Sequence, residues 1–292
     1  MVFRSVSDVV SWRLCVGCGA CLPACPEKRI TMIDLPDEGL RPRLGTAACG
    51  SCDTCVQVCP GVSVRQQPSA NGLAALADGW GSILEIWEGY AADPEVRFNG
   101  SSGGLATALA LYCLEKGGMS GVLHTGPDAE QPLKNKTHFS QSRTELLERT
   151  GSRYAPASPC DGIGQIEVAS GPSVFIGKGC DVEAIRKAQA LRPELDAKIG
   201  IAIGIFCAGT PSTQATLDLL TRLGADPGGV AAIHYRGKGW PGHFTVTMRD
   251  GRPPVSIPYM EAWGFLQKYR PYRCYLCPDA TAELADISCG DP

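Results

Sequence analysis

The stretch Cys15-Val16-Gly17-Cys18-Gly19-Ala20-Cys21-Leu22-Pro23-Ala24-Cys25-Pro26 is echoed by Cys49-Gly50-Ser51-Cys52-Asp53-Thr54-Cys55-Val56-Gln57-Val58-Cys59-Pro60. Each copy reads C-x2-C-x2-C-x3-C-P, the run by which bacterial dicluster ferredoxins hold a pair of 4Fe–4S clusters. Two-residue gaps let a tight loop wrap three corners of a cubane, while the displaced fourth cysteine reaches the other cluster. One cluster is therefore expected on Cys15, Cys18, Cys21 and Cys59, and the other on Cys49, Cys52, Cys55 and Cys25. Gly17, Gly19 and Gly50 suit a close approach of backbone N–H groups to cluster sulfurs, and Pro26 and Pro60 turn the chain away after the fourth ligand. Cys-x2-Cys pairs also bind zinc. Two full four-cysteine runs, each closed by proline, favour iron and sulfur over that alternative.

The chain carries 15 cysteines in 292 residues. A chain this long needs no disulfide staples, and the cysteine spacing points to metal in a reducing compartment. A net charge of −3 leaves no electrostatic footprint for nucleic acid. The longest apolar runs, Leu105 to Leu114 and Ile199 to Cys207, fall short of the roughly 18–20 residues of a spanning helix. No integral membrane segment is therefore expected. Arg4, Asp8 and Arg13 interrupt the N-terminus, so no apolar core of a signal peptide precedes Cys15. Together these readings place the protein in the cytoplasm.

Outward from the cysteine runs, residues 1–67 form a short, loop-rich unit, and the polar stretch from Arg65 to Gly72 reads as a linker. From Leu73 the composition changes. Strand-like runs appear at Ile83–Trp87, Gly121–His124, Ser173–Ile176, Ile199–Phe206 and Ala231–Tyr235. Helical patterns lie between several of them, at Leu105–Lys116, Thr144–Thr150, Asp181–Leu191 and Thr213–Leu223. His243–Met248 and Val255–Tyr259, joined through Asp250-Gly251, read as a hairpin. The expected fold is thus an α+β dicluster ferredoxin-like domain over 1–67, then an α/β mixed-sheet domain over 73–292.

Seven cysteines remain. Cys113 sits in a helical apolar pattern, and Cys160 and Cys289 read as structural or incidental. Cys180 follows one strand, Cys207 ends another, and Cys274 and Cys277 are a further two-residue pair. Strand ends of a parallel sheet converge on one edge, so these four can meet. The alternative is four reduced structural thiols.

Several segments resemble, in order, the coenzyme F420 hydrogenase/dehydrogenase beta subunit family, which includes 7-hydroxymethyl chlorophyll a reductase. They are Asn99–Thr107, Gly151–Tyr154, Gly177–Asp181, Gly204–Cys207, Arg236–Trp240 and Cys274–Ser288. The resemblance implies FAD and a third 4Fe–4S cluster on Cys180, Cys207, Cys274 and Cys277. The family often has proline before the first of these, where this chain has Gly179, which implies a looser ligand loop. It further implies that the sheet domain is flavin-binding and is truncated at Pro292.

Ser101, Ser102, Gly103 and Gly104 open the helix before Thr107, and a helix start with glycines favours a diphosphate. An ordinary capped loop looks the same; the resemblance makes it an FAD contact. Arg153, Tyr154 and Lys238 are candidate donors to phosphate or flavin ring, and Asp286 a candidate ribityl or ring contact. None of His124, His138, His234 and His243 sits in an assignable motif, and no G-x-G-x-x-G follows a strand. The expected function is an iron–sulfur flavoprotein oxidoreductase. It would pass electrons between a ferredoxin or partner redox subunit and coenzyme F420 or another small molecule. The competing reading is a non-catalytic relay subunit of a larger redox complex.

Overall fold

Between the two cysteine runs the chain folds back on itself as an antiparallel hairpin, β1 (Ile30–Leu35) and β2 (Gly39–Leu44). Each run coils into a single helical turn at its third cysteine, Cys21–Ala24 and Thr54–Gln57. Four residues cannot sustain a helix alone; packing holds them. Pro42 is tolerated because a two-stranded ribbon leaves each strand an open edge. The computed structural model describes residues 3–45, 49, 52–64, 71–73, 76 and 80–291. Gly50 and most of the expected linker lie outside them.

The larger part is built on a five-stranded sheet. Its strands are β3 (Val122–Pro127), β4 (Asn135–Ser140), β5 (Ser173–Lys178), β6 (Ile199–Ile205) and β10 (Ile287–Cys289), in the order β10-β6-β5-β3-β4. β3, β5, β6 and β10 run parallel, and β4 closes the far edge antiparallel to β3. The Val- and Ile-rich centre of the sheet is buried on both faces, as parallel strands require. Helices Leu105–Glu115 and Gly179–Leu191 cover it, close to the expected bounds. A three-stranded antiparallel sheet, β7 (Val230–His234), β8 (His243–Met248) and β9 (Val255–Pro258), carries the expected hairpin. It packs on helices Thr213–Arg222 and Tyr259–Leu266 around Tyr235, Phe244 and Leu266.

One expectation fails. Ile83–Trp87 pairs with no strand, and Ile86 and Trp87 are 72% and 82% exposed. The apolar run is there, but the described chain brings no neighbour alongside to complete its ladder.

The ferredoxin unit is not a bead on a string. Cys18, Ala20, Ala24 and Val58 share one buried core with Leu123, Phe175, Val182 and Ile185 of the larger part. Hydrogen bonds cross the same junction. Ser158 Oγ donates to the Gly17 carbonyl at 2.6 Å, and the Cys160 N–H to the Cys18 carbonyl at 2.9 Å. Lys187 Nζ donates to the Cys59 carbonyl at 3.0 Å. The first cysteine loop is therefore held in place by the larger domain.

Candidate functional site

The N-terminal thiols crowd one another. Burial pushes the Cys59 thiol up to about 12, with the charges of Cys18 and Cys15 adding to it. Cys21 is raised further, first by burial and then by Cys18, Cys15, Cys59 and Cys55. Cys55 is raised by burial and then by Cys49, Cys52 and Cys25. Cys59 thus stands near Cys15 and Cys18 of the first run, and Cys25 near Cys55 of the second, while Cys21 and Cys55 also interact across the two runs. Thiols crowded in this way keep their protons until a cation displaces them. Backbone N–H groups already point at sulfur: Gly17 to Cys15 and Arg29 to Cys25, both at 3.4 Å. Such donors suit cluster thiolates. Among the described residues no three His, Cys, Asp or Glu side chains stand close enough to hold a single ion. A four-iron cluster keeps its ligands farther apart than one ion does.

Cys180, Cys207, Cys274 and Cys277 line one cavity. The sheet brings the first two there: Lys178 of β5 pairs with Ile205 of β6, and the chain leaves both strands at the same edge. The helix Tyr272–Tyr275 supplies Cys274, and the turn after it Cys277. The Cys207 N–H donates to the Ala280 carbonyl at 2.8 Å, tying the strand end to the segment after Cys277. Gly209 donates its N–H to Cys207 Sγ at 3.3 Å. Burial raises the Cys180 and Cys207 thiols, and Lys178 pulls both down. All four donors are thiols in a wall that also bears a half-buried lysine, Lys178, so the residues fit an anionic iron–sulfur group. Val16, Gly17 and Arg41 of the ferredoxin unit close the other side.

Gly179 corrects the expectation of a loose loop. A β-carbon there would lie 2.6 Å from Asp279 Oδ2 and 2.9 Å from the Asp279 carbonyl oxygen. Asp279 is buried and accepts the N–H groups of Thr281 and Glu283. The segments carrying Cys180 and Cys277 pass each other with room for hydrogen only.

A cleft of about 580 Å³ opens beside this cavity, along the carboxyl ends of the parallel strands. That is where open α/β sheets bind ligands, and the size is typical of cofactor sites. Cys207, Lys178 and Gly209 line both spaces. Ser101, Ser102 and Thr107 line the cleft at the start of helix Leu105–Glu115, and Arg153 and Tyr154 line it farther along. Tyr154 anchors an aromatic wall, stacked on Tyr259 at 5.7 Å and tilted against Trp263 at 5.0 Å.

Four expected cofactor contacts stand elsewhere. Gly103 and Gly104 are outside the cleft lining. A β-carbon on Gly104 would lie 2.5 Å from the Val96 carbonyl oxygen, so this glycine serves the packing of helix Pro94–Asn99. Lys238 does not line the cleft, and Asp286 is spent on the Ala202 N–H at 2.7 Å and Arg186 at 2.9 Å. Arg153 reaches the cleft with most of its donors used. It bonds Asn135 and the carbonyls of Ile233, Pro132 and Lys134.

Sequence reading missed Tyr259, Trp263, Arg236, Asp291 and the cleft position of His124. Arg236 pairs with Asp291 at 2.7 Å and lies over the Tyr259 ring at 4.5 Å. His124 is buried, held neutral with its pKa lowered to about 4 by desolvation, and bonded to Ser140 at 2.8 Å. Only Arg236, inside the segment from Arg236 to Trp240, carried a usable sequence signal.

The model of the coenzyme F420 hydrogenase/dehydrogenase beta subunit N-terminus matches residues 86–163, and that of its C-terminus residues 173–292. The chain belongs to the coenzyme F420 hydrogenase/dehydrogenase beta subunit family. A 4Fe–4S dicluster domain matches residues 14–62 of this family member. It is 27% identical to the coenzyme F420 hydrogenase subunit beta of Methanosarcina barkeri, over 68% of this chain and 67% of that one. It is 24% identical to the coenzyme F420-dependent sulfite reductase of Methanocaldococcus jannaschii, covering 98% of this chain and 43% of that protein. Against the F420-dependent formate dehydrogenase 1 subunit beta of Methanococcus maripaludis the figures are 27%, 71% and 52%. The chain thus spans about half or less of the length of these last two relatives. Among solved structures, the F420-reducing [NiFe] hydrogenase complex from Methanosarcina barkeri has a chain matching at a TM-score of 0.54 and 25% identity. The match covers 69% of this chain and 68% of that one. This family member is an iron–sulfur, oxidoreductase-associated electron-transfer subunit of the F420-linked class. Among the described residues no helix is long and apolar enough to cross a membrane.

Proposed function

We propose that the chain is an iron–sulfur flavoprotein that passes electrons between a ferredoxin-type or subunit partner and coenzyme F420 or a related small hydride acceptor. The observation that carries this reading is the shared wall. Cys207 faces both the four-thiol cavity and the cleft, so one residue borders both centres.

In this reading the eight N-terminal cysteines hold two 4Fe–4S clusters, and Cys180, Cys207, Cys274 and Cys277 hold a third. Ser101, Ser102 and Thr107 would hold the diphosphate of FAD at the helix start, where unpaired N–H groups favour anions. Tyr154, Tyr259 and Trp263 offer an apolar wall for a flat ring and exclude water from it. A bound flavin supplies the exchange between one-electron and two-electron chemistry. Lys178, half-buried between the two spaces and paired with Asp181, places a positive charge where reduction adds negative charge. Coenzyme F420 is the favoured small molecule because the relatives' names carry it. The 15 unpaired cysteines suit a reducing compartment, and we place the protein in the cytoplasm.

Anaerobic turnover of the isolated chain tests the reading. With clusters and flavin present, it is expected to exchange electrons between reduced ferredoxin and F420. A fully loaded chain that turns over neither ferredoxin, F420H2 nor NAD(P)H is a relay inside a larger complex, and the enzyme reading fails.

A further inference from the structure

Arg41 projects from β2 of the ferredoxin unit and is only 4% exposed. A charge so buried is normally fully hydrogen-bonded. Its Nη1 donates to the Leu40 carbonyl at 2.7 Å, yet its Nε has no hydrogen-bond partner among the described residues. The Glu38 carboxylate lies 3.5 Å from that Nε, a charge contact rather than a hydrogen bond. Local pairing therefore leaves the guanidinium incompletely satisfied.

The group faces two places. On one side is the first ligand loop, where a β-carbon on Gly17 would sit 3.6 Å from Arg41 Nη1. The Arg41 charge reaches Cys15 in that loop and draws its thiol down against burial, while Glu38 pushes it up. On the other side, Arg41 and Gly17 line the cavity that Cys180, Cys207, Cys274 and Cys277 also line. Asp279 lines that cavity too, and its carboxylate accepts the backbone N–H groups of Thr281 and Glu283.

Resting on the three-cluster reading, we propose that Arg41 is a positioning residue that couples the first and third clusters electrostatically. One guanidinium, held between the Cys15 loop and the four-thiol cavity, raises the reduction potential of both. Adding an electron to a thiolate-bound cluster adds negative charge, and a buried cation stabilises that state more than a solvated one does. Because one charge serves both sites, their potentials move in the same direction. Glu38, part-exposed, attenuates the same charge.

Potentiometric titration of the anaerobically purified chain, followed by electron paramagnetic resonance, tests the coupling. The signal absent from Cys207→Ala identifies the third cluster, and the second cluster, on Cys25, Cys49, Cys52 and Cys55, is the internal control. Arg41→Gln is expected to shift the first and third potentials negative and leave the second in place. Arg41→Lys should restore part of both shifts. Glu38→Gln should move the same two potentials positive, and it decides the matter if Arg41→Gln fails to load iron. Unchanged first and third potentials, or one uniform shift of all three, would overturn the proposal. A wild-type chain with only two clusters shows instead that the three-cluster reading is wrong, before any variant is compared, and the coupling falls with it.

Discussion

Replacing Cys207 with alanine should remove one cluster and leave two, lowering iron from about twelve to about eight atoms per chain. The backbone around Cys207 is held by its own N–H to Ala280, and that bond survives the substitution. What is lost is one of the four thiols that line the cavity, leaving three. The eight N-terminal ligands are untouched, so the dicluster signal should persist. Loss of an outer-shell partner typically costs about 10–100-fold in metal affinity or activity; loss of a ligand should cost more. Ferredoxin-dependent turnover should therefore fall by more than about 100-fold. Iron and turnover equal to wild type would mean that Cys207 is not a ligand.

Gly179→Ala should have nearly the same effect by a different route. The backbone at Gly179 opens helix Gly179–Leu191 and would accept alanine or even proline there. The obstacle is Asp279, whose carboxylate and carbonyl stand within 3 Å of the position a β-carbon would take. Something must give. Either the Cys180 turn or the Cys277 segment moves, and both carry cysteines of the proposed third cluster. Overpacking of this kind costs about 1–3 kcal/mol. The expected result is a chain that folds and keeps about eight irons but loses the third cluster on purification, read by iron assay and circular dichroism together. A variant with full iron content would show that the two segments have slack the packing denies them.

How much of this was legible in the sequence differs from element to element. The two cysteine runs were readable because ligand spacing is fixed by the cluster itself, and the dicluster domain match over 14–62 covers both. β5 and β6 were readable because parallel strands buried on both faces are continuous apolar runs. β4 was not: Asn135–Ser140 is a polar edge strand whose existence depends on its pairing with β3. β10, with three residues, is too short to leave a pattern. In the cleft, Ser101, Ser102 and Tyr154 were found through local motifs. Tyr259 and Trp263 were not, because helix Tyr259–Leu266 meets Tyr154 only through tertiary packing. Asp286 was misread for the same reason in reverse. Its sequence neighbours suggest a ligand contact, while its carboxylate is spent on Ala202 and Arg186. Gly179 is the most instructive position, since a glycine in place of proline suggests slack and the structure shows none.

The central claim, a path of three clusters ending at a flavin, is tested most directly by purifying the chain anaerobically and counting iron, sulfide and flavin. About twelve irons, about twelve sulfides and about one FAD per chain are predicted. About eight irons with no flavin would contradict the claim and leave only the ferredoxin unit standing.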